Sequence, residues 1–301
     1  PLVTDRSGHG NHAILRGSPK ITRQDDGTVA VDLAGSLGDY IEIPDHPSLR
    51  VREGVSGLVW ANLNRLPIAG EADRNPILVK GPSIGWGANY LARMLVKRSG
   101  GTFGAGVCYD TSEHYWESKA KAPLGQWAQY AMSFDARQGG GNYIDAKQVG
   151  EIAPLDEYSE FRNWEGHPIF IGYSRLGNIV KELKRPRNFA HFVGQVSQVR
   201  FYTTGLSVED LRTIHAQPGK PGPQAEKMAV WLDFAEIRTE GRHETPWRRP
   251  ADFQPRFRAD QQRWSYATLE AKTRIPPGTA LNARIEVSDN GDTVKGAKNI
   301  A

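Results

Sequence analysis

Short runs of apolar residues separated by turn-forming residues recur along the first two thirds of the chain. Tyr40-Ile-Glu-Ile43 alternates apolar and polar positions, as a half-buried strand does. Further runs rich in β-branched and aromatic residues cover 56–61, 76–80, 90–96, 127–134, 168–172 and 192–202. Glycine clusters at 100–101 and 139–141 supply turns between them. This spacing predicts an all-β sandwich or barrel, not a helix bundle or a fold of alternating strands and helices.

One segment has helical periodicity. Ser207 precedes it as a potential N-cap with Asp210 three residues on, and Val208, Leu211 and Ile214 fall on one helical face. The pattern predicts a short helix over 207–215.

Residues 217–226 are rich in proline and glycine and have no hydrophobic pattern, which predicts a stiff linker. Strand-like runs return at 228–234, 265–272 and 281–287, around an Arg/Pro-rich stretch at 242–258. The predicted organisation is a β-domain over 1–216, a linker over 217–226, and a smaller β-rich segment over 227–301. That last segment is either a small domain or an incomplete part of one.

Composition narrows the class of protein. The 301 residues are 39% hydrophobic and 24% charged, values typical of a globular protein. No run of about 18 apolar residues suits a membrane helix, so membrane insertion is not expected. The chain opens Pro-Leu-Val-Thr-Asp, which does not resemble a signal peptide and indicates a processed or trimmed product. Cys108, the single cysteine, lies in an apolar run and is predicted to be buried.

Net charge is +4, with basic clusters at 181–187 and 242–258. Such clusters can bind phosphate or sulfate groups, but most of the chain mixes both signs of charge. Solvated loops are therefore the favoured interpretation, and nucleic acid is not an expected partner.

Five segments in order resemble the laminin-G-like jelly-roll domains of the concanavalin A-like lectin/glucanase superfamily. They are Asp5-Arg-Ser-Gly-His-Gly-Asn-His12, Gly38-Asp-Tyr-Ile-Glu-Ile-Pro-Asp45, Leu124-Gly-Gln-Trp127 with the hairpin Tyr143-Ile-Asp-Ala146, Pro168-Ile-Phe-Ile-Gly172, and Phe192 to Tyr202 followed by Gly205-Leu-Ser207. The resemblance covers about 210 residues and implies an antiparallel jelly-roll sandwich used for glycan recognition, in an extracytoplasmic protein.

The resemblance also implies a structural calcium ion at the opening motif, with Asp5 as the ligand that this chain retains. The acids that the family usually supplies from the closing strand are replaced here by Val196-Ser-Gln-Val199. A turn held by hydrogen bonds alone is the alternative, with Gly8 and Gly10 in left-handed conformations and Asp5 and Asn11 capping amides.

Catalytic patterns are weak. Glucanases of the superfamily carry Glu-x-Asp-x-x-Glu on one strand, which places two glutamates on the concave face, and the sequence contains no such strand. Arg238-Thr-Glu-Gly-Arg242 resembles a lyase strand without its companion motifs. The eight histidines have no metal-ligand spacing. No complete active site is predicted.

Sugar recognition needs an aromatic face for the C–H side of the ring, with polar groups nearby for its hydroxyls. Three groups in predicted loops meet this requirement: Trp86, Asn89, Tyr90 and Arg93; Tyr115 and Trp116; and Trp164. Packing over the sandwich edge is the alternative for each group. Trp60 and Trp127 lie within strands and are predicted to belong to the core.

Three functions fit the sequence. The first is a non-catalytic carbohydrate-binding module that binds poly- or oligosaccharide as an accessory part of a secreted polysaccharide-degrading enzyme. The second is a piece of a glycoside hydrolase or polysaccharide lyase completed by further domains or chains. The third is a structural or adhesion subunit that binds protein. The fold alone does not choose among them.

Overall fold

The computed structural model describes residues 1–34, 38–68, 74–82, 90–109, 112–152, 161–175, 189–235, 237–238, 283–285 and 298–300. The chain divides into two compact units, Pro1–Gly241 and Arg242–Ala301. Within the described residues no helix has the length and apolar character needed to cross a membrane.

Most described residues lie in β-strands. The first ten are β1 (Leu2–Val3), β2 (Ala13–Arg16), β3 (Lys20–Arg23), β4 (Val29–Asp32), β5 (Tyr40–Ile43), β6 (Gly54–Leu63), β7 (Arg74–Lys80), β8 (Ala92–Lys97), β9 (Thr102–Tyr109) and β10 (Ser112–Lys121). The others are β11 (Trp127–Asp135), β12 (Gly139–Ile144), β13 (Lys147–Ile152), β14 (Ile169–Ile171), β15 (Tyr173–Arg175), β16 (Phe189–His191), β17 (Gly194–Tyr202), β18 (Met228–Leu232), β19 (Ile237–Arg238), β20 (Ala283–Ile285) and β21 (Lys298–Ile300).

Two large antiparallel sheets form the first unit. The nine-stranded sheet has the order β10-β9-β8-β7-β14-β5-β2-β1-β19. The eight-stranded sheet has the order β13-β12-β11-β6-β17-β4-β3. Its eighth strand, β18, pairs with β17, which also pairs with β6 and β4. Strands adjacent in space are often far apart in sequence, as in a jelly roll. The predicted all-β sandwich is confirmed, and each predicted strand of residues 40–202 overlaps an observed one.

The main core lies between the inner faces of the two sheets. It includes side chains from both, among them Ile41, Val59, Met94, Phe134 and Val199. Cys108 is fully buried, as its apolar context predicts. Trp60 is partly buried. Trp127 is 37% exposed, so its predicted core position is wrong: Ala128 and Tyr130 point inward, and alternation places Trp127 on the outer face.

A second apolar cluster covers part of the outer face of the eight-stranded sheet. The helix α1 (Val208–Ala216) buries Leu211 and Ile214 there, against Leu58 and Ala131. Ser207 and Asp210 form the predicted capping box.

The structure differs from the predicted domain boundary. Strand β18 lies beyond the predicted linker, yet all five of its residues are buried and it pairs antiparallel with β17. The Pro/Gly segment therefore packs on the sandwich. Arg200, fully buried, donates hydrogen bonds to the carbonyls of Pro218, Lys220 and Pro221 at 2.5 to 2.7 Å. The first unit extends to Gly241 because this strand belongs to its sheet.

In the second unit the described residues form one antiparallel pair, β20 with β21. Strand β20 lies inside the predicted run at 281–287. The predicted run at 265–272 lies outside the described residues.

Candidate functional site

The outer face of the nine-stranded sheet at β8, β9 and β10 brings together two of the three predicted groups. Core-facing residues of β9 are Phe103, Ala105 and Val107, so Gly104 and Gly106 face outward. A Cβ at Gly104 would lie 2.1 Å from the Tyr115 hydroxyl, and one at Gly106 would lie 2.7 Å from the Tyr90 hydroxyl. The two glycines therefore provide the room in which both tyrosine rings lie flat on the sheet.

Arg93 lies between these two rings. Its guanidinium carbon is 4.3 Å from the centroid of Tyr90 and 4.5 Å from that of Tyr115. Register explains the arrangement, because Arg93 and Tyr115 are both Cα partners of Gly106 on adjacent strands. Cation–π attraction strengthens when the cation is desolvated, and Arg93 is only 3% exposed. We call Tyr90, Arg93 and Tyr115 the tyrosine–arginine stack.

Charged side chains border the stack on its exposed side. The Lys97 ammonium lies 5.2 Å from the Tyr115 centroid and pairs with the Glu117 carboxylate, which also accepts a hydrogen bond from the Thr102 hydroxyl. Burial opposes ionisation of Glu117, but these two partners together lower its pKa below the ordinary value. The edge of the stack therefore presents an ionised carboxylate, an ammonium group and part of the Tyr115 ring.

Other predicted residues lie elsewhere or outside the described part of the chain. Tyr90 is completely buried, so its ring is a support rather than an open surface. Trp116 faces the opposite side of β10 and stacks on Phe134 at 6.0 Å, because residues 115 and 116 alternate across the strand. It therefore packs on the core and is not part of the predicted group with Tyr115. Trp86 and Asn89 lie outside the described residues.

Trp164 is apart from the stack and packs against the core. The Arg162 guanidinium lies 4.1 Å from its ring centroid, and its backbone φ is +45°, in the left-handed region. Asn163 fixes this segment through hydrogen bonds to both the backbone N–H and the carbonyl of Val51, at 2.7 and 2.9 Å.

A buried ion pair anchors the segment that follows Trp164. The Lys80 ammonium donates to the Asp45 carboxylate at 2.5 Å, Arg50 donates at 2.7 Å, and the Gly166 N–H donates at 2.6 Å. Burial raises the pKa of Asp45, but these donors together lower it well below its usual range. Burial lowers the pKa of Lys80, whose side chain is fully enclosed. The sequence contained no pattern that marked this pair.

The opening turn has the predicted left-handed glycines, with φ of +92° at Gly8 and +73° at Gly10. Asp5 accepts four hydrogen bonds, at 2.7 to 3.0 Å, from Ser7 (backbone and hydroxyl), the Asn11 N–H and the Trp231 N–H. Four donors use the approximately four acceptor positions of a carboxylate, so these residues do not fit a calcium ligand set. Among the described residues no group of three His, Cys, Asp or Glu side chains could hold a metal. The calcium hypothesis stays a prediction.

Two tryptophans and several amides lie side by side on the outer face of the eight-stranded sheet. Trp127 pairs in register with Asn62, and Trp60 pairs with Gln129. Asn62 is also the Cα partner of Gln195 on β17. We call these five residues the amide–tryptophan row. The sequence does not predict this row, because aromatic residues in strands usually face the core. The polar residues opposite Trp60 and Trp127 would indicate it, but they can be recognised only when the register of the strands is known.

Comparison with known proteins places the chain in a family. Residues 34–212, more than half of the chain, match the family model of the concanavalin A-like lectin/glucanases superfamily, and the chain belongs to that superfamily. No protein among the curated sequences compared with it matches.

Several solved structures share the fold at low identity. The binding domain of botulinum neurotoxin serotype G superposes with a TM-score of 0.51 at 8% identity, covering 73% of this chain and 50% of that one. A structure of botulinum neurotoxin type C, whose cell entry is described as dependent on two ganglioside molecules, gives 0.50 at 11% identity, covering 72% and 50%. The binding domain of Paraclostridial Mosquitocidal Protein 1 gives 0.50 at 9% identity, covering 71% and 50%. The chain thus spans about half the length of these relatives.

Proposed function

We propose that the chain is a non-catalytic, lectin-like carbohydrate-binding module whose ligand is a poly- or oligosaccharide. The observation that carries the proposal is the tyrosine–arginine stack with its charged border. A partly exposed tyrosine beside a carboxylate and an ammonium group supplies the apolar face and the hydrogen-bonding groups that a sugar requires.

Two further predicted residues, Trp86 and Asn89, are close in sequence to the residues of this surface. The segment that carries Trp86 and Asn89 leads directly into Tyr90, which is anchored in the stack. Tyr90 and Arg93 act as positioning residues in this proposal, whereas Tyr115, Glu117, Trp86 and Asn89 contact the sugar.

The comparisons support the class of ligand without specifying it. Two of the similar folds belong to neurotoxins, and the type C protein is described as interacting with gangliosides. Binding is proposed rather than catalysis because the sequence has no strand with alternating acids. An accessory role in a secreted polysaccharide-degrading enzyme and an extracytoplasmic location are parts of the same proposal.

A glycan-array screen of the full chain tests the proposal, once with calcium and once with a chelator. We expect binding to a defined polysaccharide in at least one condition, and chelator sensitivity would support the calcium hypothesis. Trp86→Ala and Tyr115→Ala should each weaken binding by about 5- to 150-fold, the equivalent of about 1 to 3 kcal/mol. Ile21→Ala, which removes an exposed apolar side chain of the other sheet, is the matched control. Silence from well-folded protein would contradict the proposal and favour a structural or partner-completed role.

A further inference from the structure

The amide–tryptophan row has a regular arrangement on one sheet. Trp127, Asn62 and Gln195 are Cα partners across β11, β6 and β17 and form one line. Gln129 and Trp60, each two residues away along its strand, are Cα partners in a second, parallel line. Side chains opposite one another in an antiparallel sheet share a face. Inward-facing Ala61 and Ala128 separate the two lines, so all five side chains point to the outer face.

The amide–tryptophan row lies next to the part of the outer face that helix α1 covers. Helix α1 covers the neighbouring outer-face residues Leu58 and Ala131, which cluster with Met228 and Trp231 of the adjacent strand β18, and Trp60 packs against this cluster. Beyond it, Trp127 is 37% exposed, and Asn62 and Gln195 are half-buried. One tryptophan is therefore packed at the border of the cover, and the other stands in the open part of the face.

Polar atoms in the row lack partners within the described residues. Gln129 is fully buried, and neither its amide nitrogen nor its amide oxygen has a hydrogen-bond partner there. The Asn62 amide oxygen is likewise enclosed and has none. Buried polar groups in folded proteins nearly always have hydrogen-bond partners, because a buried group without a hydrogen bond destabilises the fold. The Gln129 amide, which has no partner and lies near the exposed Trp127, therefore indicates a ligand that supplies the missing hydrogen bonds.

We propose that the amide–tryptophan row is a second binding site, specific for neutral oligosaccharides. An amide group both donates and accepts hydrogen bonds, and so do sugar hydroxyls, while an indole face packs on the apolar side of a sugar ring. All five residues are uncharged, which favours a neutral sugar over an acidic or sulfated one. Asn62, Gln195 and Trp127 are the accessible members of the row, and Gln129 is enclosed behind them, so contact with Gln129 requires a neighbouring side chain to move.

This site lies on a different sheet from the tyrosine–arginine stack and does not depend on it. The test uses the full chain and neutral oligosaccharides of glucose, mannose, galactose and xylose, titrated by calorimetry and by tryptophan fluorescence. We expect one of these series to bind and to change the fluorescence. Trp127→Ala and Asn62→Ala should weaken that binding by tenfold or more, whereas Ile68→Ala, at an exposed position outside both proposed sites, should leave it unchanged.

Gln129→Leu separates a binding role from a packing role. Leucine has a similar volume and removes the unpartnered amide, so we expect the melting temperature to stay the same or rise while affinity for the oligosaccharide falls tenfold or more. Unchanged affinity of Gln129→Leu and Trp127→Ala, in folded protein, would overturn the second site. Binding that Trp86→Ala abolishes and Trp127→Ala spares would overturn it as well, and would leave the first site intact. If no neutral oligosaccharide binds while the array shows binding to charged glycans, the second site would likewise be overturned and the first site left intact.

Discussion

The Asp5 carboxylate accepts a hydrogen bond from the backbone N–H of Trp231 at 2.9 Å, across 226 residues of sequence. Beside it, the Asn11 side-chain amide donates to the Ala229 carbonyl at 2.7 Å. The opening turn, which the sequence marked as a possible calcium corner, is thus bonded to strand β18. Its structural role is to hold the end of the sandwich domain on its beginning.

Replacing Asp5 should destabilise the domain. Asp5→Ala removes four hydrogen bonds to a nearly buried carboxylate and leaves the amides of Asn11 and Trp231 without a partner. We expect a loss of about 3 kcal/mol in the free energy of unfolding, measured by urea denaturation. Asp25→Ala, at an exposed turn position, should change it by less than about 0.5 kcal/mol. Equal effects of the two changes would contradict this role for Asp5.

The position of the chain end should decide whether the first unit folds. A chain that ends at residue 241 retains β18 and should unfold cooperatively. A chain that ends at residue 216, the boundary that the sequence suggested, loses a strand of five buried residues and exposes the edge of β17 and the outer-face cluster to which Met228 and Trp231 belong. We expect that shorter chain to aggregate or to unfold without a sharp transition. Thermal unfolding and limited proteolysis measure this, and two equally stable chains would restore the sequence-based boundary.

The sequence identified the fold because its strands combine alternation with turn residues at every junction. It misplaced the boundary because Gln217-Pro-Gly-Lys-Pro-Gly-Pro-Gln224 has the composition of a linker, and composition does not show that buried Arg200 binds its carbonyls. The pairing of β18 with β17 is a long-range contact with no local signal.

The candidate site was predictable in its residue types and not in its geometry. Tyr90, Arg93 and Tyr115 were all candidates, but no sequence pattern joins the two groups, because cross-strand register brings them together. Trp127 is predicted to face the core but lies on the outer face, whereas Trp116, predicted to lie in a loop, packs on the core from strand β10. A one-residue difference in alternation exchanges the core and the outer face.

The Asp45–Lys80 pair should make stability depend on pH and on both partners. The pKa of Asp45 is lower in the folded chain, so its contribution is present above the unfolded pKa of about 4 and is lost as pH falls below it. Asp45→Asn should cost about 3 to 5 kcal/mol at neutral pH, because the Lys80 ammonium stays buried without its partner. Adding Lys80→Met should recover most of that loss. Urea denaturation between about pH 2 and pH 7 measures both effects.

The matched control for the pair is again an exposed carboxylate. Asp25→Asn should keep the slope of stability against pH between about pH 2 and pH 5, whereas the Asp45→Asn, Lys80→Met double variant should reduce it. A double variant with the slope of the parent chain would show that Asp45 does not carry the pH dependence.

The two glycines beneath the tyrosine–arginine stack should resist substitution. Gly104→Ala places a methyl group 2.1 Å from the Tyr115 hydroxyl, and Gly106→Ala places one 2.7 Å from the Tyr90 hydroxyl. We expect each to cost about 1 to 3 kcal/mol of stability and to weaken glycan binding through displacement of the stack. Gly219→Ala, at an open position with no neighbour within 4 Å, should do neither. Full stability and full binding in Gly104→Ala would show that the stack is not tightly packed.

Arg200 should be irreplaceable by lysine. Its guanidinium donates to three carbonyls of residues 218–221 and to the Gln198 side chain at 3.1 Å, and its central carbon lies 4.8 Å from the Trp231 ring centroid. A lysine has three donors on one atom and cannot reproduce this planar set, so buried carbonyls would lose their partners. We expect Arg200→Lys to cost about 2 to 3 kcal/mol in urea denaturation.

Proteolysis distinguishes this anchoring role from a general loss of packing. If Arg200 holds the Pro/Gly segment on the sheet, Arg200→Lys should accelerate cleavage within 217–224 at protease concentrations that leave the rest of the domain intact. Arg212→Lys, at an exposed position on α1, should leave both stability and cleavage unchanged. Uniform cleavage throughout the domain in Arg200→Lys would instead mean that the segment and the sandwich unfold together. Arg200 would then contribute to global stability without selectively holding the segment.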